Sequence, residues 1–467
     1  MSKPECLVTG EMARLLPVVP ETHKEQRATS ILLATLSVVP ALTREVLGVI
    51  GKKVGARSTI DAYTEVVFTN GLEKSVFRPD GLLVIDQGKP KEWKALIESK
   101  IGRTPLEEDQ IRSYLAVAKA NGVDAVITIS NQFAALPTHH PIKVPKSAIK
   151  AVNLYHWSWM FLLTQSILFL KNSNEATGDQ KFILSEVVRY LEHDKTGVSS
   201  FDRMAPEWRD LVTQVQSGAQ LKKNCAEVTA CIGSWHQEER DLCLIMSRKI
   251  ACPVSVRLSR LHIGDPIKRV ADDIDKLVKN SILECSLEVP DAAAHLDVKA
   301  DLKRRSISCA MRLSAPKDKV HAPARINWLL RQISHVDPSD VFVRAQWPGR
   351  IQDTLVPLAD VRADLKLLMP ENGKSAPIAM EVLMIRDIAG KFGGPRTFIE
   401  QVELLVPEFY ERIGQHLRSW IPKPPQMESS KSKHELTQNA SEVGKEPNAE
   451  PAETPIPLQL PDMSSTT

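Results

Sequence analysis

The sequence predicts an α/β domain with a helical extension over residues 1–215, a second domain of α+β type over residues 216–422, and a disordered tail over residues 423–467. Three observations carry this. β-Branched-rich runs lead into an acid-headed helix and then a short, nearly continuous apolar run, as strands, a crossover helix and a buried strand would. Between Leu283 and Leu313 the period switches to two in three successive runs, the alternation of a sheet with one wet face. Beyond Pro422 the chain is rich in Pro, Glu and Ser and poor in large apolar residues, so burial cannot offset the entropy of ordering it.

Residues 28–54 repeat Ile31, Leu32, Leu36, Val39, Leu42, Val46, Leu47 and Ile50 at helical spacing, with Pro40 placed to bend or break the helix. Strand-like runs at 63–68 and 76–85 straddle Asn70-Gly71, a strong hairpin signal. Residues 82–85 and 95–97 flank a Gly- and Pro-containing loop, which makes a small antiparallel sheet. Pro105 followed by Glu107, Glu108 and Asp109 opens a helix that runs to about Asn121-Gly122, and 123–129 reads as the buried strand. Helical spacing resumes from Trp157 to about Gln216, and a long helix follows over 221–250. Leu283, Cys285, Leu287 and Val289, then Leu296, Val298, Ala300 and Leu302, then Ile307, Cys309, Met311 and Leu313 form a three-strand meander. A helix at 324–333, strands at 341–346 and 379–385 and a final helix at 397–420 complete the second domain.

With 43% hydrophobic and 25% charged residues the bulk is ordinary globular material. Seven cysteines, an odd number in a long chain, do not suggest a disulfide framework and point to a reducing, cytoplasmic compartment. The most apolar run, 157–170, is short and holds Gln165, and the N-terminus lacks an apolar signal core, so secretion and membrane spanning are not expected. The formal charge of +3 is unevenly placed: residues 241–350 hold 19 Lys and Arg against 13 Asp and Glu. That stretch is the best compositional candidate for an anionic partner.

The chemistry concentrates in Arg78-Pro79-Asp80-Gly81, Glu98-Ser99-Lys100 and Gln110-Ile111-Arg112-Ser113-Tyr114. Asp80 opens one predicted strand, while Glu98 and Lys100, two apart on a neighbouring strand, share a face. Two carboxylates converging with a lysine suit metal-assisted phosphodiester hydrolysis. Asp80, Glu98 and the Ser99 carbonyl would offer hard oxygen ligands to Mg²⁺ or Mn²⁺. Lys100 would orient or deprotonate the attacking water and offset charge on the phosphate.

Asp80, 17 intervening residues and Glu98-Ser99-Lys100 resemble the signature of the PD-(D/E)xK nuclease superfamily, and Gln110 to Tyr114 resembles the QhxxY helix motif of its RecB-type branch. The resemblance implies a restriction-endonuclease-like core in which Asp80 and Glu98 hold the metal, Lys100 serves the water, and Gln110 and Tyr114 support the site or substrate. It also implies a further acidic ligand upstream, for which Glu65 is the first choice and Glu45, on the first helix, the alternative. Over its full length the chain is similar to a family of uncharacterised bacterial proteins sometimes labelled stress response proteins, through residues 125–131, 155–159, 188–193 and 327–332. That label states no reaction; it implies a single unit of nuclease-like core and companion domain in a bacterial stress or defence setting.

The expected function is therefore Mg²⁺-dependent hydrolysis of DNA, with Lys303, Arg304, Arg305, Arg257 and Arg260, and Lys268 and Arg269 nearby, contacting phosphates. Duplex cutting would favour two active sites and hence a homodimer. The alternative is a catalytically silent nuclease-like module that binds nucleic acid or an unknown protein partner, with a scaffold whose acidic tail recruits that partner as a third reading. Cys225, Cys231, His236 and Cys243 could be read as zinc ligands, but their gaps match no zinc knuckle and fall on a predicted helix. His139-His140 reads as a solvated loop pair and His156, among Tyr155, Trp157 and Trp159, as a packed ring. No GxSxG elbow and no phosphate-cradling GxxxxGK[ST] loop is present.

Overall fold

The computed structural model describes residues 4–69, 78–88, 92–102, 104–134, 136, 138–142, 144–145, 147–370 and 375–422. Its first sheet has six strands in the spatial order β1 (Leu7–Met12), β2 (Thr59–Phe68), β3 (Gly81–Asp86), β4 (Trp93–Ser99), β5 (Ala125–Ser130) and β6 (Asn153–Ser158). Strands β1 to β4 pair antiparallel, whereas β4, β5 and β6 run parallel. Parallel neighbours need a crossover, and α3 (Glu108–Ala120) supplies it between β4 and β5. Central strands are covered on both faces, which is why β5 is buried at every position. One face packs on α1 (Lys24–Val38), α2 (Pro40–Val49), α4 (Trp159–Asn172) and α5 (Gly178–Leu191), the other on α3.

The expected break at Pro40 is present: α1 and α2 meet at 107°. Proline cannot donate the missing backbone bond, and the Thr43 hydroxyl donates to the Leu36 carbonyl left over at 2.5 Å. No single helix among the described residues is long and apolar enough to cross a membrane. In this sheet periodicity alone misses two strands, β1 and β6. In β6 the aromatic run reads equally well as helix, but Ser158 accepts from the Phe161 N–H at 3.0 Å and so caps α4 after the strand has ended.

After α6 (Trp208–Gln216) and the long α7 (Ala226–Ile250) come β7 (Ser255–Val256), α8 (Arg260–Gly264) and α9 (Pro266–Asn280). The meander follows as β8 (Ile282–Glu288), β9 (Leu296–Asp301) and β10 (Ser306–Ser314), then α10 (Ala322–Gln332), β11 (Val341–Gln346), β12 (Thr354–Pro357), α11 (Leu358–Ala363), β13 (Ala379–Asp387), α12 (Ala389–Phe392) and α13 (Pro395–Arg412). The second sheet is antiparallel throughout, in the order β12-β11-β13-β10-β9-β8-β7. Its apolar face, with Leu283, Val298, Cys309 and Val382, packs on α7, α10 and α13; the alternate residues face outward. The Asn70-Gly71 hairpin and the tail over 423–467 lie outside the described residues.

Helix α7 carries an unusual load of buried charge. Glu238 is 0% exposed and neither of its carboxylate oxygens has a partner among the described residues. Burial and then Glu403 of α13 push its carboxyl well above the usual range. Burial raises Asp241 to about 6, although the Phe201 N–H, Arg248 and Arg240 pull the other way, and burial followed by Asp241 raises Glu403 to about 7. All three acids bind protons more tightly folded than unfolded, so stability is fully present below the unfolded carboxylate range and is lost as pH rises through the raised values. The melting temperature should therefore fall between about pH 5 and pH 7. Glu238→Gln should raise the melting temperature at pH 7.5 and flatten that slope; a scan across pH in which the variant tracks the wild type would remove this role from the cluster.

Candidate active site at the end of β4

The fold brings the three sequence segments together at the carboxyl end of β4. Glu98 and Lys100 lie on the last strand residue pair and the step beyond it, Asp80 immediately precedes β3, and Gln110 and Tyr114 stand one turn apart on α3. Gly81 is what lets Asp80 reach this place: a Cβ there would meet Leu33 Cδ1 at 2.5 Å and the Tyr63 carbonyl at 2.8 Å. Asp80 Oδ2 accepts from the Ser99 amide at 2.7 Å and from the Ser99 hydroxyl at 3.1 Å. The Ser99 hydroxyl in turn contacts Thr29 of α1 at 2.5 Å.

Glu98 is 2% exposed. Its Oε1 accepts from the Lys100 ammonium at 2.7 Å and from the Gln110 amide at 2.8 Å. Gln110 also donates to the Tyr114 hydroxyl at 2.9 Å, and that hydroxyl donates to the Arg78 carbonyl at 3.2 Å. Oε2 of Glu98 is buried with no partner among the described residues. Burial raises Asp80 to about 8, with the Glu98 charge adding to it. Glu98 is raised by the same burial against the pull of Lys100. Burial works against the Lys100 charge, but Glu98 and Glu25 outweigh it and hold the ammonium protonated. Tyr114 is pushed up by burial and Glu98 and stays a phenol.

One acid that the sequence analysis does not single out belongs here. Glu25, in the first turn of α1, takes the Lys100 ammonium at 3.1 Å and the Ile101 amide at 3.3 Å. An acid heading the helix that precedes the strands is a signal the sequence does contain, but it reads equally as a complement to the helix dipole. Of the two upstream acids expected instead, Glu65 is exposed at a left-handed position, φ 52°, and lines a depression of about 80 Å³ that also contains Asp80. Glu45 sits on α2 beside Glu175 and Arg44. The backbone of Lys100 is fixed from both sides, its amide donating to the Ile129 carbonyl at 2.7 Å and its carbonyl accepting the Trp159 indole N–H at 3.0 Å.

The other candidates separate. Lys303, Arg304 and Arg305 are exposed on the β9–β10 turn, and Asp301 accepts from the Lys303 and Arg304 amides at 2.9 Å. Arg257 follows β7 and Arg260 opens α8, both exposed. Arg269 is not available to phosphate: it is 5% exposed and paired with Glu239 and Asp273. Lys268 pairs with Asp272 at 2.6 Å. Cys231 and Cys243 are buried in α7, Cys225 donates to Glu227, and His236 pairs with Asp273 at 2.9 Å. Nor are His139 and His140 a solvated pair. His139 contacts the Ile263 carbonyl at 3.0 Å, and His140 contacts Thr128 at 2.8 Å, with burial holding its pKa near about 4. His156 is a packed, satisfied ring between Thr128 and the Gln132 carbonyl. Among the described residues no group of three or more His, Cys, Asp or Glu side chains forms a ready metal-binding set.

No family model matches the chain, and no curated protein matches it. Because Gly81 has no room for a methyl group, Gly81→Ala should destabilise the fold by about 1–3 kcal/mol, as overpacking does. Urea unfolding at neutral pH measures this; a loss below the error of the fit would mean that α1 and β2 yield more easily than their contacts indicate.

Proposed function

We propose that the chain is a divalent-metal-dependent nuclease of the PD-(D/E)xK type that hydrolyses DNA phosphodiester bonds. The observation that carries this reading is the convergence of Glu98, Lys100, Gln110 and Tyr114 in one hydrogen-bonded group, with Asp80 held beside it by Ser99, that leaves Glu98 Oε2 buried without a partner among the described residues. An orphaned carboxylate oxygen next to a second carboxylate is a place for a cation, because a buried anionic oxygen without a partner is costly. The residues fit Mg²⁺ or Mn²⁺ as a partial set: Asp80, Glu98 and the Ser99 carbonyl, with Glu65 at the mouth, completed by water and a phosphate oxygen. Mg²⁺ is commonly held in this way, by one or two carboxylates plus the substrate. The bound ion would polarise the phosphate and acidify the attacking water.

The rest of the chemistry belongs to the chain. Lys100 is held as an ammonium between Glu98 and Glu25, so it acts as a donor that orients water or phosphate oxygen and offsets charge, not as the base. Gln110, itself held by Tyr114, binds one oxygen of the Glu98 carboxylate and leaves the other without a partner among the described residues. The catalytically silent reading remains the competing outcome of the test.

Circular and linear DNA, single- and double-stranded, incubated with Mg²⁺ or Mn²⁺ should be cut by the wild type, and Asp80→Asn and Lys100→Ala should each lower the rate by about 10²–10³, the loss typical of one electrostatic contact in a preorganised site. Calorimetry should show divalent-ion binding that Asp80→Ala abolishes. Absence of both cleavage and ion binding would favour the silent module.

A further inference from the structure

Beyond Glu98 the buried face of the first sheet stays polar for two more strands. Leu96, Val126 and Leu154 pack on the α3 side of β4, β5 and β6. Two positions further along, paired in register, come Glu98, Thr128 and His156, so all three point to that same face. They are 2%, 0% and 2% exposed. A fourth polar group, His140, reaches them from the segment after β5. A hydroxyl thus stands beside Glu98 on a strand about 4.8 Å away. Yet Oε2 of Glu98 has no partner among the described residues.

The directions of the hydrogen bonds account for this. The Gln132 carbonyl only accepts, so the His156 nitrogen 2.9 Å from it, Nε2, carries the ring proton. Burial keeps that ring neutral, its pKa lowered to about 3. Its Nδ1 is then an acceptor, and the donor 2.8 Å away is the Thr128 hydroxyl. That bond uses the one proton Thr128 has. The Thr128 oxygen therefore accepts from His140 Nε2 at 2.8 Å, and Nδ1 of the neutral His140 ring accepts from the Ile142 amide at 3.0 Å. Every proton of the chain is placed, and none is left for Glu98.

We propose that His156 is a positioning residue for the candidate cation site: by taking the Thr128 hydroxyl proton it keeps the second Glu98 oxygen open to a divalent ion. The role rests on the nuclease reading for the ion it serves. The Gln132 carbonyl fixes the tautomer that makes this ring an acceptor, and His140 holds the Thr128 oxygen from the other side. Without His156 the hydroxyl turns to the strongest acceptor in reach. The Tyr155 carbonyl is 3.4 Å from it, a marginal bond, whereas a carboxylate oxygen offers a charge-assisted one. An incoming ion then has to displace that bond.

The test titrates Mn²⁺ into the full chain by calorimetry. His156→Phe should bind the ion about tenfold or more weakly, the loss usual for a residue that supports a metal ligand. Thr128→Val should bind as the wild type does, and combining it with His156→Phe should restore the affinity, because the competing proton is gone. A packing defect left by the lost imidazole is not cured by removing a second polar group. Wild-type affinity in His156→Phe, or a double variant that stays weak, would overturn the proposal. Weaker binding by Thr128→Val alone would do so too, and that variant changes little in volume, so the proposal stays open to refutation if His156→Phe does not fold. Nitrogen-15 NMR of the metal-free chain at pH 7 should show both rings as neutral Nε2–H tautomers; an Nδ1–H tautomer or an imidazolium at His156 would also sink it. Failure of the nuclease reading alone shows as Mn²⁺ binding without cleavage, whereas a wild type that binds no Mn²⁺ overturns both.

Discussion

A carboxylate kept almost completely out of water, Glu98, is the constraint on which the first half of the molecule depends. Burying an ionised carboxyl costs several kcal/mol unless it is paired and hydrogen-bonded. Lys100 and Gln110 meet that cost on one oxygen, and each of them comes from a different constraint of the fold. Lys100 sits one step past the end of β4, with its amide and carbonyl tied to β5 and α4. Gln110 and Tyr114 are there because the parallel pairing of β4 and β5 requires a crossover helix, and that helix passes over the strand ends. The site is thus a consequence of where a mixed sheet changes from antiparallel to parallel.

Glu98 and Glu238 make an instructive pair. Both are fully buried acids with orphaned oxygens. Glu98 has a lysine within ion-pairing distance, and its neighbour Asp80 lines a depression together with Glu65. Glu238 is surrounded by Glu403, Asp241 and Glu239. Burial raises both acids, but Lys100 pulls against the rise at Glu98, whereas the groups around Glu238 add to it. The same chemical oddity therefore stands among acids in α7 and beside a lysine in β4.

Much of this was legible in the residues. The paired carboxylates, the lysine two positions on and the Gln and Tyr one turn apart could be assigned to a common place because strand and helix periodicities are local properties. The meander was equally plain, since alternation over β8 to β10 reports one dry and one wet face directly. What escaped were facts of pairing across long separations. Glu25 joins the site from 75 positions away in sequence, and nothing around it differs from an ordinary helix start. Strand β6 hid in an aromatic run whose period is ambiguous, and Arg269 looked like a surface cation until its buried partner Glu239 on α7 was placed.

The division of Lys100 between Glu98 and Glu25 sets what this centre can do. An ammonium shared by two carboxylates is a poor acid and no base, so proton removal from water has to be achieved by something else that lowers the water's pKa. On the proposed reading a divalent ion held by Asp80 and the Glu98 oxygen that has no partner among the described residues would supply this. A centre of this design would hold its lysine ready for phosphate charge while reserving its two remaining carboxylate oxygens for the metal.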